Sequence, residues 1–93
     1  LPGHYHGSEN YSVFAPRLEI INYYMEELRK YGWEFIAEED NVEKSNGKKV
    51  EEKYIFRNGT YELQISFPVE TTVNFEGVVY EKSYYIIVFP INR

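Results

Sequence analysis

KYIFRNGTYELQISF, residues 53–67, decides the fold, because two runs of alternating apolar and polar side chains flank an Asn-Gly pair. Asn-Gly is the strongest short-range hairpin signal, since both residues accept the positive φ of a tight primed turn. Taken as central turn residues, Asn58 and Gly59 set Phe56 opposite Tyr61, Tyr54 opposite Leu63 and Val50 opposite Phe67. A second pair, Asn46-Gly47, treated the same way sets Ala37 opposite Phe56 and Glu39 opposite Tyr54. The two registers agree. Together they put Trp33, Phe35, Ala37, Val50, Tyr54, Phe56, Tyr61, Leu63, Ile65 and Phe67 on one face, with Glu51, Lys53, Glu62, Gln64 and Ser66 on the other. A slip of one residue would expose the whole apolar set, so the alternation constrains the pairing.

N-terminal to this meander, Pro16 marks a helix start, because its missing N–H costs nothing in a first turn. Leu18, Ile21, Met25 and Leu28 then recur at helical spacing over residues 16–31, widened by Ile20, Tyr24 and Tyr31, and Gly32 ends the run. Glu19 near the start and Arg29 with Lys30 near the end complement the helix dipole. Ahead of the helix, Tyr11 to Phe14 reads as a short strand, and residues 1–10 read as a flexible lead-in with no signal-peptide pattern.

C-terminal to the meander, Pro68 stops the third strand and Val69 to Thr72 make a connection. A further strand runs through Val73, Phe75, Val78 and Tyr80, with Gly77 a bulge or Glu76-Gly77 a turn that splits it. The last run, Tyr84 to Phe89, does not alternate. A strand apolar on both sides is usually covered on both faces, and one helix covers one face only. Something else must shield the second face: the Tyr11–Phe14 segment folding across, a second copy of the chain, or a partner.

The reading is therefore α+β, one N-terminal helix packed on a four- or five-stranded antiparallel sheet, with residues 11–93 as a single domain. That order resembles the cystatin-like arrangement, in which a sheet wraps one helix, in topology only. The inhibitory Gln-x-Val-x-Gly hairpin of that family is replaced here by Ser45-Asn46-Gly47-Lys48. The stretch LRKYGWEFIAEE, residues 28–39, is similar to the helix-to-strand junction of a small bacterial family of unknown function rich in Gly-Trp-Glu, which implies no activity.

A chain of 93 residues holds one core, and aromatics at 18% supply its bulk. No run nears the roughly 20 apolar residues of a membrane helix, so no transmembrane segment is expected. The net charge is −5. Residues 1–46 carry four basic and nine acidic side chains, against six of each in residues 47–93. No basic stripe is present to displace counterions from phosphates, so nucleic acid is not an expected partner. The acidic stretch Glu38, Glu39, Asp40 and Glu43 suits a solvated loop, or a contact with a basic protein surface.

The absence of Cys removes thiolate chemistry, and the two histidines, His4 and His6, fall in the lead-in, so no catalytic triad is built. His4, His6 and Glu9 make too small and mobile a set to predict a metal site. No glycine-rich phosphate loop or dinucleotide fingerprint occurs, and no cofactor is expected. The expectation is a non-catalytic protein-binding module: an accessory, inhibitor or immunity-type protein, or a domain of a larger surface protein. Its partner is a protein or a second copy, met by the outer sheet face or edge through Ile36, Ile55, Tyr80, Tyr84, Tyr85, Ile87 and Phe89. The alternative is a small-ligand pocket between helix and sheet, lined by Tyr24, Trp33, Tyr54 and Tyr61.

Overall fold

The computed structural model describes residues 7–91. Strand β1 (Gly7–Pro16) leads into helix α1 (Arg17–Lys30), followed by β2 (Glu34–Val42), β3 (Lys49–Asn58) and β4 (Tyr61–Pro68). A single 3₁₀ turn, Val69–Thr71, precedes β5 (Thr72–Phe75) and β6 (Val78–Pro90). The six strands form one antiparallel sheet in the order β1-β6-β4-β3-β2, with β5 paired to the first part of β6. The class is α+β as expected, with one or two strands more than the sequence suggested.

α1 sits where its end signals place it. Pro16 occupies the N-cap with extended dihedrals. At the other end Gly32 takes φ 89°, the Gly32 N–H donates to the Arg29 carbonyl and the Trp33 N–H to the Leu28 carbonyl. These paired bonds make a Schellman motif, which satisfies the last carbonyls of the helix. The Asn58 side-chain amide donates to the Tyr31 carbonyl at 3.0 Å, tying the end of β3 to the end of the helix.

The two Asn-Gly signals have different outcomes. At Asn58-Gly59 a tight hairpin forms, but Asn58 pairs with Tyr61, so Gly59 and Thr60 are the central residues. Gly59 has φ 61° and Thr60 a negative φ, the pattern of a type II′ turn with Gly first. Phe56 therefore faces Leu63 and Tyr54 faces Ile65. This slide of two residues keeps every side chain on its expected face, because side chains alternate with a period of two.

At Asn46-Gly47 the connection is wider. The Gly47 N–H donates to the Glu43 carbonyl and the Lys48 N–H to the Asn46 side-chain oxygen, and Val42 pairs with Lys49. Bulges between Phe35 and Ala37, and between Asn41 and Val42, then reset the register. Phe35, not Ala37 as the sequence register predicted, lies opposite Phe56, with ring centroids 5.5 Å apart. Beyond the bulge Ala37 faces Ile55 instead of Phe56, so it leaves the core face, and Glu38 lies opposite Tyr54.

The core gathers Ile20 and Ile21 of α1 with Phe56, Leu63, Ile65, Phe67 and Tyr84 of the sheet. Leu18, expected in the helix core stripe, is 70% exposed. The helix is rolled so that Ile20, Tyr24 and Leu28 share the buried side with Ile21 and Met25, and Leu18 falls at its margin. β6 lies between β1 and β4, with both edges hydrogen-bonded. β1 pairs beside it instead of crossing its second face, and it begins at Gly7, so residues 7–10 of the expected lead-in belong to the sheet. Gly, Ser, Glu and Asn have weak strand preference, and here pairing with residues 85–88 overrides it. Glu76 and Gly77, with φ 51° and 80°, make the turn that splits β5 from β6.

Candidate functional site

A fourteen-residue helix cannot cover the helix-side face of a six-stranded sheet, and the shortfall lies beside its N-terminal half. There a cleft of about 580 Å³ opens between α1 and the β5–β6 turn. Leu18, Ile21 and Met25 form its helix wall, Val78 and Val79 the opposite wall, and Tyr54 the sheet side. Polar atoms enter from Asn22 and Arg17. The volume falls in the range of natural binding pockets, roughly 300–1,000 Å³, and the mostly apolar lining fits that class.

Two further aromatic side chains are exposed, one on β5 and one on β1. Phe75, paired with Val78 across the turn, is 59% exposed, and Phe14 stacks on Tyr80 with ring centroids 5.0 Å apart while its other face meets solvent.

Arg17 anchors the polar end. Its guanidinium donates to Glu52 and to Glu81 and lies over the Phe67 ring, 5.0 Å from the centroid. Glu81 is fully buried and accepts a second bond from the Thr72 hydroxyl at 2.7 Å. A buried carboxylate needs such partners, since an unpaired charge there would cost several kcal/mol. Glu52 also accepts from Lys49 at 2.6 Å. The Lys49 bond, and then Arg17, hold the Glu52 carboxyl below its ordinary range against the opposing effect of burial. Burial, reinforced by Glu38, pushes the Tyr54 hydroxyl up, so it stays a neutral phenol.

The expected pocket residues are not brought around one cavity. Tyr54 lines the large cleft, whereas Trp33 lines a separate cleft of about 260 Å³ with Met25, Arg29 and Phe35. Tyr24 shares a 2.8 Å hydroxyl–hydroxyl bond with Tyr84, and burial together with that bond raises its pKa. Tyr61 begins β4 opposite Pro90.

Among the expected interface residues, two are withdrawn from solvent. Tyr84 is 7% exposed because its ring packs on Tyr11, Tyr24 and Phe67. Ile55 is 6% exposed, between Ala37 on β2 and Gln64 on β4. Ile36 is exposed in the β2 bulge, and Tyr80 is half-buried against Phe14. Tyr85, Ile87 and Phe89 are half-buried on the face opposite the core, opposite Ser66, Gln64 and Glu62 of β4. That row is tied together: Arg57 and Gln64 donate to Glu62 at 3.0 and 2.6 Å, and the Tyr85 hydroxyl donates to Glu51.

The acidic stretch is not a loop. Glu38, Glu39 and Asp40 belong to edge strand β2, and only Glu43 lies in the connection. Charges on an edge strand discourage pairing with another sheet. His4 and His6 lie outside the described residues. No helix is long and apolar enough to cross a membrane among the described residues.

Leu18, Asn22, Arg17 and Val78 escaped sequence reading as site residues. Leu18 fits the core periodicity as well as Ile20 or Ile21 does, and the adjacent Ile pair was the one hint that the helix had two possible faces. The chain matches no family model, no curated protein and no solved structure.

Proposed function

We propose that the protein is a non-catalytic protein-binding module that seats an apolar side chain of its partner in the cleft between α1 and the β5–β6 turn. The observation that carries this reading is Leu18: a large apolar residue 70% exposed on the wall of an apolar cleft that the exposed Val78 also lines. Isolated exposed Leu residues are ordinary, but a contiguous apolar rim around a concavity is typical of an interface anchor site. A small molecule would fill the cleft and leave the rim wet, whereas a protein segment covers both. The nearby carboxylates favour binding over catalysis, because Glu52 and Glu81 are engaged with Arg17 and the Glu52 carboxyl is held low instead of being poised as an acid.

Peptide display against the immobilised protein tests the reading. Selected peptides should share an apolar anchor and lose binding to Leu18→Ser and Val78→Ser, variants whose melting temperature stays near the parent's. Peptides insensitive to both variants would sink it, as would a result in which only small apolar compounds raise the melting temperature.

A further inference from the structure

From the charges around this cleft we infer its partner's chemistry: an apolar residue flanked by Lys or Arg in a basic protein segment, an inference that rests on the protein-binding reading above. Among the described residues Arg17 is the one charged side chain lining the cleft, and its positive charge is already matched by Glu52 and Glu81. With Lys49 and Asp40, which extend the cluster, the local formal charge is −1. Glu38 adds a carboxylate beside Tyr54.

Next in the chain to lining residues, Glu19 follows Leu18 and Glu76 precedes Gly77, and both are exposed with no ion pair among the described residues. An anionic occupant would meet repulsion on entering, while a cationic flank would find Glu19 and Glu76 unpaired. A second copy of this chain is a poor occupant, because each copy carries −5.

The test uses three synthetic hexapeptides with a Leu-Phe centre, flanked on each side by two Lys, two Glu or two Ser. Each is titrated into the isotope-labelled full chain and followed by amide chemical shifts. The Lys-flanked peptide should perturb residues lining the cleft and bind at least about fivefold tighter than the Glu-flanked one at low ionic strength, the gap closing in high salt. The double variant Glu19→Lys, Glu76→Lys should abolish or reverse that preference, and Leu18→Ser should weaken all binding.

Equal affinities for the three peptides, still weakened by Leu18→Ser, would overturn the basic-partner inference and leave the binding reading standing. Shifts that survive Leu18→Ser, or no shifts at millimolar peptide, would overturn both.

Discussion

On the helix-side face of the sheet, Phe56, Ile65, Phe67 and Tyr84 pack into one cluster under α1, while on the opposite face Tyr85, Ile87 and Phe89 run beside Ser66, Gln64 and Glu62 with no helix above them among the described residues. Both rows of β6 are apolar, yet only one is buried in the usual sense. The second is managed laterally: its side chains are half-buried, and the neighbouring polar row on β4 is hydrogen-bonded. β6 is central, with β1 and β4 hydrogen-bonded on its two sides, and its second row is flanked by hydrogen-bonded polar side chains of β4. On the helix side, the exposed apolar side chains of Leu18 and Val78 line the cleft.

This contrast can be broken most strongly in the core. Phe67→Ala should cost about 3–5 kcal/mol, because the ring is fully buried against Tyr54, Tyr84 and Arg17. Phe89→Ala, on the half-buried face, should cost well under half of that; equal losses in urea unfolding would mean that the two faces are equally packed.

Next is the buried ion cluster. Glu81→Ala leaves Arg17 short of its most buried partner, and a loss of about 3 kcal/mol is expected in the same assay. An unchanged midpoint would show that solvent reaches the site.

Hydroxyl removal sharpens the comparison further. Tyr84→Phe deletes the bond to Tyr24 inside the core and should cost about 1 kcal/mol. Tyr85→Phe frees the more accessible Glu51 to water and should cost less, about 0.5 kcal/mol.

A further small effect is expected in acid. The folded-state pKa of Glu52 lies below its ordinary 4.5, so its stabilisation is complete above that value and is lost as pH falls through the lower folded value. Its carboxylate is partly exposed, so the contribution is about 1 kcal/mol or less. Stability followed from pH 6 to 3 should fall less in Glu52→Gln than in the parent; parallel curves would remove Glu52 from the account.

The faces of β3 and β4 were legible in the sequence because alternation is local: Tyr54, Phe56, Leu63, Ile65 and Phe67 stay together even though the hairpin register moved by two. The helix and its ends were legible for the same reason, since Pro16, Gly32 and the 3.6-residue period act within a few positions. What the chain alone left open were choices between distant partners. The bulge at Ile36 turned Ala37 away from the core, β6 took the centre of the sheet, and β1 recruited Gly7 to Asn10. The roll of α1 chose Ile20 over Leu18, and with it the cleft. Local pattern specifies which side a residue points to, while only the competition of long-range contacts for a limited covering surface decides what lies opposite it and what remains uncovered.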